Sequence, residues 1–351
     1  MRASAWVELD GREAEGGGSI LRQALGFSVY TGRPFVIHHI RENRPNPGLR
    51  PQHLHAVLTA AQFADAEVHG ATPGSRSLRF RPRRLRSGMY EIDIGTAGSV
   101  TLVLQAILLP AVLSGLDTTW TVTGGTDVPW SIPVDYFRNV TLFYLERWAD
   151  LMWTTHRRGY YPRGEGHITL RVRSRGLRDP VPLVLDTTGG RQVRIVEGVA
   201  HASRDLRRAR VAHRMAARAS QLLSEEFPRV DIRAEYADTA SIGAGITLWL
   251  TWTDADGRTL RFGSAALGRR GVPAEKVAET AVAALLAEWR ADACVDRYLA
   301  DQLIPFLACV GGRLRTSVIT PHTLANVYVA RRFFPEVSWE ITATTITAKK
   351  I

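Results

Sequence analysis

The sequence predicts an α/β (α+β) protein: a large domain of three repeated α/β units, residues 1–185 and 294–351, interrupted by a smaller inserted α+β domain, residues 186–293. Three observations carry this expectation. A pattern of helix, glycine stop and strand recurs three times, a long segment before the third copy breaks it, and 351 residues exceed what one hydrophobic core usually organises.

In the first unit Gly16, Gly17, Gly18 and Ser19 open the apolar-periodic ILRQALGFSVYTG, Gly32 stops it, and the strand-like PFVIHHI follows. The second opens at Gly98 and Ser99 with VTLVLQAILLPAVLSG and runs into TTWTVTGG. The third is VDRYLADQLIPFLACVGG followed by LRTSVIT. Further helices are expected over 50–64, 134–148 and 321–334. Such units argue for sheets that carry helices on one face. In the interrupting segment RQVRIVEGVAH reads as a strand and 204–226 as a helix rich in Arg and Ala. RVDIRAEY, GITLWLTW and LRFGSAAL alternate like antiparallel strands. Pro273 opens AEKVAETAVAALLAEW in the first turn, where its missing N–H costs little. If the third unit belongs with the first two, this segment is an insertion whose ends lie close together.

Hydrophobic residues at 45% and charged residues at 23% are ordinary globular values. No apolar run reaches the roughly 18–20 residues that span a bilayer, and MRASAWVELDGRE lacks an apolar core of signal-peptide length. A cytoplasmic protein with no membrane partner is therefore expected. Cys294 and Cys309, the only cysteines, have no metal-ligand spacing. A net charge of +11 suits a polyanionic partner. Lysine occurs only at 276, 349 and 350, however, and an arginine skew also follows from genome composition. Charge alone leaves nucleic-acid binding and an uninvolved basic surface both open.

Glu15 precedes the glycines and Arg22 follows one helical turn on. Glycines at a helix start let backbone N–H groups approach a phosphate, and a carboxylate there can hold a divalent metal. A tight turn before a core helix would look the same. No GxxxxGK[ST] or GxGxxG is present. IRENRPNPGLRPQHLHA gathers Arg41, Arg44, Arg50 and Gln52 in a proline-broken loop, suited to bidentate phosphate contacts or simply to solvation. His53 and His55 do not share a helix face, which excludes a metal pair. RGYYPRGEGHITL offers tyrosines and arginines for stacking on unpaired bases, or an ordinary hairpin turn. YLADQL sets Tyr298, Asp301 and Gln302 on nearly one face, a purine-reading stripe or an exposed amphipathic edge. Thr320, Pro321 and His322 read as N-cap, first and second helical positions. The helix macrodipole works against an imidazolium there and attracts polyphosphate. Asn326 shares that face.

ELDGREAEGGGSILRQAL, RPNPGLRPQHL, IGTAGSVTLVLQ, GGTDVPWSIPVDYF, GYYPRGEG, YLADQL and TPHTLANV, in this order, resemble segments of RNA 3'-terminal phosphate cyclases, from about residue 6 to 335. The resemblance implies a large domain of three α/β units with a small domain inserted before the third. It implies an ATP-dependent enzyme, with a divalent metal (Mg or Mn), acting on RNA with a 3'-phosphate end. A histidine takes AMP from ATP, AMP passes to the RNA 3'-phosphate, and the vicinal 2'-OH closes a 2',3'-cyclic phosphate. His322 stands where the family nucleophile stands, and Glu15 matches its metal-associated carboxylate. Arg22, Arg41 and Arg44 match phosphate-contacting arginines. Gln52, Tyr298, Asp301 and Gln302 match residues around the nucleotide, and Pro133 lies in the segment flanking adenine. None of the three lysines sits in the Lys-x-Asp-Gly motif of lysine nucleotidyl transferases. Two positions depart from the family. Ala325 replaces a threonine, removing a hydroxyl expected near the phosphate or the histidine, and Glu165 puts a negative charge where RNA is expected to pass. A non-enzymatic, cyclase-like ribosome-biogenesis protein is the alternative, and His322, Glu15 and Arg22 argue against it. An enolpyruvyl transferase fits the repeats loosely and the His322 segment not at all.

Overall fold

The computed structural model describes residues 6–177, 180–187 and 189–351. Its described strands form four four-stranded sheets, and three of these share one topology. The first unit comprises β1 (Val7–Asp10), α1 (Ser19–Thr31), β2 (Phe35–His38), α2 (Pro51–Ala64), β3 (Glu67–His69) and β4 (Leu78–Arg81), in sheet order β1-β2-β4-β3. The second runs through β5 (Gly88–Asp93), α3 (Val100–Leu113), β6 (Asp117–Gly124) and α4 (Val134–Tyr136). A π-helical turn (Phe137–Thr141) leads on to α5 (Leu142–Leu145), β7 (Ala149–Arg157) and β8 (Gly166–Ser174), in order β5-β6-β8-β7.

The third unit is split. It starts with β9 (Leu183–Leu185), and the chain then forms β10 (Gln192–Ser203), α6 (Val211–Ser224), β11 (Val230–Ala237), β12 (Ala244–Thr253), β13 (Thr259–Leu267) and α7 (Ala274–Arg290). It resumes with α8 (Arg297–Val310), β14 (Gly312–Arg315), α9 (Pro321–Phe333), β15 (Val337–Ile341) and β16 (Thr345–Lys350), in order β9-β14-β16-β15. In every unit the first two strands are parallel and the rest antiparallel.

The repeated α/β class expected from the sequence is what the structure has. Each unit adds what the sequence pattern misses, a short leading strand and a closing strand pair. β9 pairs with β14 across the interruption, so the extra segment lies inside the third unit rather than before it. That segment makes its own sheet, β11-β10-β12-β13. β11 joins it parallel to β10 rather than antiparallel, because α6 carries the chain back across the sheet. β12 is buried at every position, as a central strand covered on both faces is. Pro273 is the N-cap of α7, one residue outside the first turn.

α3 is apolar almost all round and buried along nearly its whole length, the pattern of a core helix, and α1 and α2 pack on it. α9 packs on α1 and α8. Helices that follow parallel strands start at the strands' carboxyl ends, where open α/β sheets bind ligands. Here the starts of α1, α2, α8 and α9 converge on one cleft of about 820 Å³, which α3 and the 130–133 loop of the second unit also line.

Candidate active site

The loop ahead of α1 is glycine for steric reasons. A Cβ on Gly16 would fall 2.3 Å from Asn43 Nδ2, one on Gly17 2.4 Å from Glu15 Oε1, and one on Gly18 2.3 Å from His53 Nε2. Gly18 caps α1 without any side-chain hydrogen bond, so the helix N-terminus is left for another acceptor.

The start of α9 is built differently. Thr320 and Thr323 form a reciprocal capping box, with Pro321 in the first turn. Both hydroxyls also reach back to α8: Thr320 Oγ1 donates to Asp301 Oδ1 at 2.8 Å, and Thr323 Oγ1 to the same oxygen. Asn326 Nδ2 donates to the Asp301 carbonyl at 2.8 Å. α9 is thus fixed against α8, and His322 projects half-exposed into the cleft.

Glu15 joins the two helix starts. Its Oε1 lies 2.7 Å from His322 Nδ1 and accepts from Ser19 Oγ at 2.9 Å, while its Oε2 lies 2.7 Å from Arg44 Nη2. Burial works to raise the Glu15 pKa, but the His322 hydrogen bond and charge, with Ser19 and Arg44, bring it below the ordinary value.

Arg22 sits recessed between Glu15 and Asp301. Among the described residues it makes no ion pair, and its Nε has no hydrogen-bond partner. Burial pulls its pKa down to about 10 against the raising effect of both carboxylates. Arg41 is lowered by burial and then by Arg50 and Arg44. Arg22, Arg41, Arg44 and Arg50 line the cleft against Asp301, with Glu15 just behind, an excess of two positive charges (four minus two). Burial pushes Asp301 up to about 6, with the threonine hydrogen bonds acting in the opposite direction.

Every site residue expected from the sequence lies at this cleft. Arg22, Arg41, Arg44, Gln52, Pro133, Tyr298, Asp301, Gln302 and His322 line it, and Glu15 touches two of them. They are not equally free. Tyr298 is exposed, as a stacking face must be. Gln302 is engaged at both ends: Oε1 accepts from Thr141 at 2.9 Å and Nε2 donates to the Tyr298 carbonyl at 2.9 Å. Arg41 Nη1 holds its own loop through the Asn46 and Gly48 carbonyls, and Gln52 Oε1 accepts from Ser99 N.

Other expectations shift. Ala325 is fully buried, and two residues before it on α9 Thr323 places its hydroxyl on Asp301. Glu165 is paired with Arg157 at 2.7 Å and Arg163 at 2.8 Å, so its charge is compensated. Tyr160 is buried with its hydroxyl 2.7 Å from His201 Nδ1, which favours the hairpin reading, and Tyr161 points out. His53, ruled out as a ligand, packs beside Gly18. Burial, then Arg22, Arg41 and Arg50, lowers its pKa to about 3.

Two features escape sequence reasoning. Trp130 lines the cleft and is 95% exposed. Its only sequence signal is a bulky aromatic in a proline-flanked loop. A buried trio with metal-ligand types, Asp127, Asp135 and His201, also forms. Its place for a cation is taken by Arg158, 2.7 Å from Asp135 and 3.3 Å from Asp127. Among the described residues no helix is long and apolar enough to cross a membrane.

A family model described as RNA 3'-terminal phosphate cyclase matches residues 13–339. Curated relatives carry the same name. That of Thermococcus gammatolerans is 45% identical over 332 residues, covering 93% of this chain and 92% of its own. That of Pyrococcus abyssi is 44% identical, covering 94% of both chains. That of Methanopyrus kandleri is 40% identical over 344 residues, covering 95% of both.

Proposed function

This chain belongs to the RNA 3'-terminal phosphate cyclase family, and from that premise we propose that it converts an RNA 3'-phosphate to a 2',3'-cyclic phosphate with ATP, through AMP carried on His322. The observation that carries the reading is the recessed, unpaired Arg22 beside an uncapped helix N-terminus and a histidine held by a carboxylate. A recessed cation whose guanidinium makes no ion pair among the described residues is favourable ground for an anion.

Glu15 accepts from Nδ1–H of His322, which leaves the Nε2 lone pair for attack. Nε2 bonds to the α-phosphorus of ATP while the α–β bridging P–O bond breaks and pyrophosphate leaves. An oxygen of the RNA 3'-phosphate then attacks the same phosphorus, the P–N bond breaks, and AMP is joined to the RNA end. The 2'-OH attacks the RNA phosphorus and expels AMP, and its proton passes to solvent. The last step is intramolecular, so proximity supplies much of its rate, and the need for a 2'-OH restricts it to RNA. Arg22, Arg41 and Arg44 neutralise phosphate charge, which dominates such transfers. Tyr298 and Pro133 flank the adenine, and Gln52, Asp301 and Gln302 set its surroundings. A magnesium or manganese ion takes one or two carboxylates together with phosphate oxygens, and Glu15 fits that role if it gives up Arg44. Such an ion would add charge neutralisation at the phosphates.

Residues 186–293 are, in the same reading, an inserted domain. Their sheet shares no strand with the others, and Thr187 N lies 3.3 Å from Cys294 Sγ where the chain leaves and returns.

The test is incubation with α-labelled ATP and magnesium or manganese, followed by denaturing electrophoresis. Wild type is expected to carry an acid-labile, base-stable label that is absent from His322→Ala and weaker, with a changed metal dependence, in Glu15→Ala. Undiminished label on His322→Ala removes the histidine from the role.

A further inference from the structure

The cleft does not end at the nucleotide residues. Trp130 lines it with its ring in solvent and its backbone at φ +63, a conformation that bulky residues seldom hold. An indole of this size gains by burial, so its exposure at the mouth of a charged cleft marks a binding face. Nearby, an isolated parallel bridge joins Asp127 to Tyr160, and Thr126 N donates to the Gly159 carbonyl at 2.9 Å. Trp130 lies three residues beyond one side of that bridge and Tyr161 one residue beyond the other. Strand spacing and residue rise therefore place their Cα atoms no more than about 20 Å apart.

Tyr161 is 66% exposed, yet its surroundings are fixed. Tyr160 is tied to His201, and Arg163 N donates to Ser241 Oγ at 3.1 Å. The hairpin tip also abuts the cleft wall. A Cβ on Gly164 would fall 2.7 Å from Ala97 Cα, and one on Gly98 3.2 Å from Gln52 Cβ. Two exposed aromatic side chains thus flank one bridged pair of segments, Trp130 in the cleft lining and Tyr161 no more than about 20 Å away.

We propose that Trp130 and Tyr161 are stacking platforms of a single-stranded RNA track leading out of the cleft, Trp130 taking a base next to the 3' end and Tyr161 one further upstream. This rests on the RNA-end reading of the cleft. Stacking suits an end-processing site because every base has a π-face, so ends of any sequence are held. Arg157 and Arg163 against the single Glu165 leave the hairpin one positive charge for the backbone.

The test is fluorescence anisotropy without ATP, using a short 5'-fluorescein RNA with a 3'-phosphate and the same strand made abasic at its terminal or its upstream nucleotides. Wild type is expected to bind the intact strand about tenfold or more tightly than the terminally abasic one. Trp130→Ala should bind those two alike, and Trp130→Phe should keep most of the difference. Tyr161→Ala should lose the distinction at upstream positions only. An unchanged base increment in Trp130→Ala and Tyr161→Ala overturns the track while leaving the cleft reading intact. Failure of wild type to bind either 3'-phosphorylated strand overturns both.

Discussion

α1 and α9 reach the same cleft with opposite solutions to one problem. Every helix starts with N–H groups that lack intrahelical partners. α9 satisfies its own through the Thr320–Thr323 box and a proline, and is pinned to α8 through Asp301. α1 starts on Gly18 with no side-chain cap at all. The first arrangement makes a rigid stand for His322, and the second leaves donors for an anion. Glu15, just ahead of the glycines, bonds to His322 across the gap, so the orientation of the His322 ring depends on the open helix start as well as on the closed one.

The comparison breaks most directly at Gly18. Gly18→Ala places a methyl 2.3 Å from His53 Nε2, and that ring is buried and cannot withdraw freely. We expect overpacking of about 1–3 kcal/mol and, through displacement of the α1 start, a fall in self-adenylylation on the order of 100-fold. The rate of label incorporation reads it. A wild-type rate in this variant would mean that the α1 N-terminus does not cradle phosphate.

Thr320→Ala tests the other start, with a smaller effect. Loss of the cap should cost about 1 kcal/mol in denaturant unfolding, and adenylylation should fall by less than in Gly18→Ala. Thr320→Ser should restore both. An activity loss larger than that of Gly18→Ala, with unchanged stability, would show that Thr320 acts on substrate rather than on the helix.

The two starts were not equally legible. Thr320, Pro321 and His322 give a capping pattern that reads directly from sequence, and so do helices that stop on Gly32 and strands such as β6. The leading strands β1, β5 and β9 precede the helix–glycine–strand pattern, so the recurrence that marks β2, β6 and β14 does not mark them. Which polar atoms remain free is also hidden, because it depends on contacts such as Thr141 to Gln302, 161 residues apart in sequence. Ala325 shows the same limit, since its place on α9 is readable while its burial is fixed by the helices packed around it.

A pH dependence probes the α1 start from its neighbour, through His53 of α2, which packs beside Gly18. His53 is 4% exposed and stays neutral in the folded protein down to about pH 3, because burial and then Arg22, Arg41 and Arg50 oppose its charge. The unfolded chain protonates it near 6.5. Its contribution to stability is therefore complete above about pH 6.5 and is lost as pH falls, by about 1.4 kcal/mol per unit. Asp296 and Asp301 run the other way. Burial raises both from 3.8 to about 6, so they add stability as pH falls from about 6 towards 3.8 and mask the histidine in wild type. His53→Gln removes one of these trends and leaves the other two. The stability gap between wild type and His53→Gln, from denaturant midpoints at successive pH values, should shrink steadily below pH 6.5. A gap that stays constant would mean that the ring takes up its proton equally in the folded and the unfolded chain, despite its burial beside Gly18 and three neighbouring guanidiniums.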